Sequence, residues 1–186
     1  MVKGQSPQRK KRIEAYYKNK IPNVEVLIDN VWDPHNASAV LRSCDGFGIS
    51  KVNLYYTYNK FPKLKSMGKK SSASANKWLE LNRIKNLDEF VREKKSKGFK
   101  FIGADIQKSN NLTKFKFPKK CIIIFGNENE GISEELKNVV DGFIFIPMVG
   151  FVRSFNISVS AAVVLYELFR QRGKGLKLTD LSSSRN

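Results

Sequence analysis

Residues 121–126 run Cys-Ile-Ile-Ile-Phe-Gly, five consecutive apolar side chains closed by a glycine. A strand with one wet face alternates apolar and polar residues, so one that is apolar at every position must be covered on both sides. That is the condition of an inner strand in a parallel sheet with helices above and below it. The remaining periodicity agrees. Residues 24–28, 52–56 and 99–104 carry strand patterns, with shorter ones at 78–81 and 143–147. Between them, Ala37, Val40, Leu41, Cys44 and Phe47 recur at helical spacing from a cap at Asn36 to a stop at Gly48. Residues 87–97 form an amphipathic helix ending at Gly98, and 132–140 a short one. Ile157, Ala161, Val164, Leu165 and Leu168 trace one stripe of a last helix reaching about Arg172. Strands alternating with helices predict an α/β fold, a mainly parallel sheet flanked by helices.

With 186 residues, 41% of them hydrophobic, the chain supports one domain with a real core but not two ordinary ones. The expected organisation is a basic N-terminal helical extension over 1–20, a single domain over 21–172, and a flexible Ser-rich C-terminal tail over 173–186. The polar stretch 57–76, with Pro62 and Gly68 and no hydrophobic period, is a loop.

Lys and Arg number 34 against 17 Asp and Glu, a formal charge of +17. The basic residues concentrate at 8–20, 59–70 and 94–120, while 127–135 is acidic. Clustering of this kind points to a polyanionic partner; the plainer reading is a lysine-rich solvated surface. No apolar run approaches the roughly 20 residues that cross a bilayer, and the N-terminus lacks the apolar region of a signal peptide. With only Cys44, Cys121 and His35 among soft ligands, neither a disulfide framework nor a zinc site is expected. The chain is expected to be cytoplasmic, metal-free and without membrane contact.

Three strand-end loops have unusual composition: 33–42, 126–133 and 147–156. In an open α/β sheet the carboxyl ends of the strands form the ligand crevice, so these loops can converge there. They contain no phosphate-cradling P-loop, no GxGxxG after the first strand and no Cys or His nucleophile constellation. What they offer is glycine for close backbone approach, amide side chains, Arg42 and Glu128.

Asn36-Ala37-Ser38-Ala39-Val40-Leu41-Arg42, then Phe125-Gly126-Asn127-Glu128-Asn129-Glu130-Gly131-Ile132-Ser133, then Ile146-Pro147-Met148-Val149-Gly150-Phe151-Val152-Arg153-Ser154-Phe155-Asn156-Ile157-Ser158-Val159 resemble, in order, the three signature motifs of the SPOUT class of RNA 2′-O-ribose methyltransferases. The resemblance covers roughly 21–172 and is closest to the TrmH branch, including the Pro34-His35-Asn36 lead-in and the Arg170-Gln171-Arg172 helix end. It implies a SPOUT fold with a deep C-terminal trefoil knot, an exception to the rule that chains are unknotted. It implies S-adenosyl-L-methionine as cofactor, contacted by Ala104, Gly126, Ile146, Ser154 and Phe155. Arg42 is then catalytic and contributed across a homodimer interface, with Asn36, Glu128, Ser154 and Asn156 around the reacting ribose. Lys10, His35, Arg170, Arg172 and the pair Arg9 and Arg12 become RNA contacts. The substrate implied is tRNA, at guanosine 18 of the D-loop, since the extra N-terminal RNA-binding domain typical of ribosomal RNA relatives is not found. Alternatives are another tRNA ribose, ribosomal RNA, or a non-catalytic RNA-binding protein on the same fold. One departure is that 71–75 often carries a glycine in the class and here has none.

Each residue also has a plainer reading. Arg42 alone is a surface or ion-pairing residue, and Asn36 a helix cap. Glu128 and Glu130 are acids favoured at the N-terminus of the helix at Ile132. His35 is a loop residue, and residues 9–12 a solvated tail.

Overall fold

The computed structural model describes residues 7–61, 78–105 and 110–172. Seven strands among them form one sheet: β1 (Val24–Asp29), β2 (Lys51–Tyr55), β3 (Glu80–Arg83), β4 (Lys100–Ala104), β5 (Asn110–Asn111), β6 (Cys121–Phe125) and β7 (Gly142–Phe145). Their order is β3-β2-β1-β6-β4-β7-β5, and every pairing is parallel. The helices are α1 (Pro7–Lys18), α2 (Pro34–Gly46), α3 (Leu87–Ser96), α4 (Glu134–Lys137) and α5 (Ile157–Arg172). No helix of the described residues is long and apolar enough to cross a membrane.

β6 lies in the middle, buried at all five positions. Ile123 and Phe125 join a core with Val40 and Leu41 of α2 and Ala161, Val164, Leu165 and Leu168 of α5. Ile122 and Ile124 join a second core with Phe90 and Val91 of α3 and Leu136 of α4. The run of apolar residues thus serves two layers at once. α2 and α5 lie side by side, with the Phe47 ring 6.2 Å from that of Tyr166 and 5.9 Å from that of Phe169.

Several boundaries differ from the sequence expectation for identifiable reasons. β3 starts at Glu80, paired with Lys51, rather than at Trp78. Trp78 instead receives α1: its carbonyl accepts a 2.9 Å hydrogen bond from the Tyr16 hydroxyl, and the two rings lie 5.2 Å apart. The helix expected over 132–140 shrinks to one turn, because Ile132 is committed to the core and the N–H of Ser133 to the carboxylate of Asp29 at 2.6 Å. β5 has only two residues, both Asn, and is too short to leave a period in the sequence. Most of the loop at 57–76, including the glycine-free 71–75, and the tail at 173–186 lie outside the described residues.

Away from the strand ends that carry the motifs, Glu25 is 4% exposed in the central strand β1. Lys94 of α3 places its ammonium 2.6 and 2.7 Å from the two carboxylate oxygens. Asn53 donates to the same carboxylate at 2.9 Å and accepts from Asn82 at 3.0 Å. A buried ion pair adds little over an apolar pair, but losing one partner strands the other charge. Lys94→Met is expected to lower unfolding free energy by about 3–5 kcal/mol, and Glu25→Gln/Lys94→Met by clearly less, both measured by urea denaturation.

Candidate active site

β1 ends at Asp29 and Asn30 follows it; both polar residues are fully buried. Asn30 has φ 48°, the left-handed region that asparagine tolerates better than most residues. That turn lets its side-chain oxygen accept from the backbone N–H groups of Thr57, Tyr58 and Asn59 at 2.9, 3.3 and 3.4 Å. Its carbonyl accepts from the side-chain amides of Asn59 at 2.6 Å and Asn127 at 2.7 Å. Asp29 holds the loop before α4 through Ser133, and burial raises its carboxyl above the usual carboxylate range despite that hydrogen bond. Sequence reasoning overlooked this junction; its signal was two adjacent polar residues, Asp29 and Asn30, directly after the apolar run 26–28.

The second motif folds back on itself. Asn127 and Gly131 exchange backbone hydrogen bonds at 2.7 and 3.0 Å, and the Asn127 side-chain oxygen accepts from Asn129 and Glu130. Gly131 sits at φ 72°. At Gly126 a Cβ would lie 2.2 Å from the Gly131 carbonyl carbon and 2.3 Å from the Ile132 nitrogen, so the glycine is needed by the loop's own return.

From this loop Glu128 reaches the start of α2. One carboxylate oxygen accepts from the Trp32 N–H at 2.9 Å, the other from the Asn36 amide at 2.7 Å and the Asp33 N–H at 3.3 Å. The helix cap is Asp33, followed by Pro34, and not Asn36 as the pattern suggested. Asn36, released from capping, points its oxygen at the Asn156 amide, 3.1 Å away; the Asn156 oxygen accepts from the N–H and hydroxyl of Ser158 at 2.8 and 2.7 Å. Side chains of all three motifs therefore form one chain of hydrogen bonds, Glu128 to Asn36 to Asn156. Burial pushes the Glu128 carboxyl upward, but hydrogen bonds from Asn36 and from the N–H groups of Trp32, Glu128 itself and Asp33 outweigh it and hold the group below the usual range.

Beside this network opens a cleft of about 380 Å³, solvent-facing part included, lined by Ala104, Ile146, Ser154 and Phe155 together with Asp105, Met148 and residues of β7 and α5. The lining is largely apolar, with the carboxylate of Asp105 and the hydroxyls of Ser154 and Ser160 as its polar groups. Gly126 does not line it. Arg42 stands on the exposed side of α2, about 120° around the helix from Asn36. His35 is exposed in the first turn, its N–H bound to Asp33 at 2.8 Å, and Lys10 is exposed on α1; the side chains of Arg9 and Arg12 lie outside the described residues. Arg170 is paired with Glu167 at 2.7 Å. Arg172 donates to the carbonyls of Pro118 and Lys119, and Gln171 to that of Phe115 at 2.7 Å, so the end of α5 fastens the segment leading into β6. Glu130 lies at Tyr58 rather than at α4; burial, then a hydrogen bond from the phenol to Glu130, push that hydroxyl up to about 12.

Residues 23–166 match the family described as the SpoU rRNA Methylase family. The tRNA (guanosine(18)-2′-O)-methyltransferase of Thermus thermophilus is 34% identical over 174 residues, covering 93% of this chain and 88% of that protein. The crystal structure of the A. aeolicus TrmH/SpoU tRNA modifying enzyme superposes with TM-score 0.81 at 30% identity, over 91% of this chain and 85% of that one. The SpoU methyltransferase AviRb from Streptomyces viridochromogenes, in complex with the cofactor AdoMet, gives TM-score 0.70 at 25% identity over 84% and 62%.

Because its carboxylate is held below the usual range, Glu128 stabilises the folded state fully above the ordinary carboxylate pKa and loses that contribution as pH falls through its own depressed value. Glu128→Gln presents an NH₂ to one of the donors now bound. The wild type's stability advantage over this variant is expected to be full at neutral pH and to shrink in acid, followed by urea titrations at a series of pH values.

Proposed function

The chain belongs to the SpoU rRNA methylase family, and from that premise we propose that it is an S-adenosylmethionine-dependent tRNA 2′-O-ribose methyltransferase acting on guanosine 18 of the D-loop. The observation that carries this reading is the hydrogen-bonded chain Glu128–Asn36–Asn156, which joins the three motifs and ends one residue from Phe155 in the cleft lining. The relative from Thermus thermophilus is named for that nucleotide, and the +17 charge suits a phosphate-rich substrate.

The cleft suits an adenosyl group: Ile144, Ile146, Met148, Phe155 and Val164 offer apolar contact for a planar base, and Asp105, Ser154 and Ser160 offer polar partners for its substituents. S-adenosylmethionine bound there supplies a methyl group already activated on a sulfonium. The protein's task is then to place the ribose 2′-oxygen in line and stabilise it as its proton passes to solvent water. Three donors already bind the Glu128 carboxylate, and in this reading it positions Asn36. Asn36, Ser154 and Asn156 orient the ribose. A guanidinium has no lone pair to offer at ordinary pH, and Arg42 acts in this reading by holding phosphate and the forming alkoxide.

Arg42 serves a second copy of the chain. Supporting this, α2 turns Asn36 inward and Arg42 outward, and an apolar surface of Val149, Phe151 and Val152 with Val159, Val163 and Tyr166 of α5 lies exposed. The fold in this reading closes on a trefoil knot; α5 residues Ser160 and Val164 return to the ends of β4 and β7, as such a closure requires. Lys10, His35, Arg170 and Arg172, with Arg9 and Arg12, track the RNA backbone, and the two buried free thiols suit a cytoplasmic protein.

Nucleotide-resolution mapping of tRNA treated with the protein is expected to show 2′-O-methylguanosine at position 18; a methyl group on a base, or none, would falsify the reading, and one at another ribose would redirect it. Arg42→Ala is expected to reduce turnover about 100- to 1,000-fold while tRNA affinity measured by filter binding changes little. Val163→Glu, placing a charge in the exposed apolar face, is expected to convert dimer to monomer in light scattering and to abolish methyl transfer with it.

A further inference from the structure

Trp32 is 70% exposed, although the residue before it, Val31, is 3% exposed in the core. Single exposed apolar residues are common and carry no meaning by themselves. This one differs in how its backbone is held. Its N–H is bound to Glu128 at 2.9 Å, and that of the next residue, Asp33, to the same carboxylate at 3.3 Å. Asp33 caps α2, and on the other side Asn30 is fixed by hydrogen bonds to both ends of its amide. The backbone of the segment cannot shift without breaking the motif network. A second aromatic, Tyr58, is 52% exposed, and its N–H is tied to Asn30 at 3.3 Å. Two exposed aromatic side chains thus stand on backbone anchored to the network that joins the motifs.

Resting on the reading of this site as an RNA ribose methyltransferase, we propose that Trp32 is a stacking platform for an unpaired nucleobase beside the reacting ribose, with Tyr58 bordering the same position. Proteins reading RNA loops stack splayed bases on aromatic faces, and an indole on an anchored backbone does so without ordering that backbone. Because every base has a π-face, the platform sets position and affinity and leaves nucleotide identity to other contacts. The +17 charge brings the RNA, and the network that fixes Trp32 is the one that contains Asn36 and Asn156. Stacking at Trp32 therefore locates the ribose relative to the residues that orient it.

The chain has two tryptophans, so Trp78→Phe leaves Trp32 as the sole indole emitter. Titration of that protein with an in vitro transcribed tRNA is expected to quench its emission saturably. Trp32→Ala is expected to raise KM for the transcript about 5- to 150-fold, Trp32→Phe to restore most of it, and calorimetric S-adenosylmethionine affinity to stay unchanged in both. Emission indifferent to saturating tRNA, or a Trp32→Ala variant with wild-type KM, overturns the platform. So does emission that changes with protein concentration alone while Trp32→Ala shifts the oligomeric state, which would put the indole in a protein interface. RNA quenching without any methyl transfer by the unsubstituted chain would keep the platform and sink the enzymatic reading; full methylation by Trp32→Ala would do the opposite.

Discussion

Asn30 joins the end of β1 to two separate pieces of chain. Its left-handed backbone turns carbonyl and side chain into positions where they accept from Thr57, Tyr58, Asn59 and Asn127. Buried polar groups of this kind are costly when unmatched and rigid when matched. Because the Asn127 loop is hung from Asn30, and Glu128 follows Asn127, the carboxylate that organises α2 inherits its position from the end of β1. Asn36 in turn inherits its position from Glu128, and Asn156 from Asn36. The cleft wall and the network are thus built outward from one residue.

The two-layer core was legible wherever burial left a period. β6 and α5 match the expected bounds, since an all-apolar strand and a long helix with one stripe have few alternative readings. Shorter elements were less legible, β5 because two residues have no period and α4 because Ile132 and Ser133, which look helical, are held by the core and by Asp29. The convergence of the three motif loops was visible through the strand-end rule, and the partners within it were not. Asn36 has the composition of a cap; only the placement of Asp33 and Pro34 frees it to bond Glu128 and Asn156. No local pattern announces a hydrogen bond between residues 120 apart.

The site is assembled mainly from amides and backbone groups, with a carboxylate whose oxygens are already engaged. Amide and backbone groups do not change charge across the working range, so the geometry of the network is insulated from proton traffic. α2 divides the labour by angle, presenting buried Val40, Leu41 and Cys44 to the core, Asn36 to the network and Arg42 to the surface.

The strand order carries a consequence for how the molecule comes into being. β1, among the first segments made, waits for β6 to fill its second edge, and the Asn30–Asn127 bond spans 97 residues. Parallel neighbours so distant along the chain impose a late, loop-closing step, slow relative to local helix formation. A nascent chain emerging from the ribosome can set α2 and β2 against β1, yet the Asn36–Asn156 contact awaits the synthesis of residue 156. Products that stop short of the third motif therefore lack the hydrogen bond that ties it to the first.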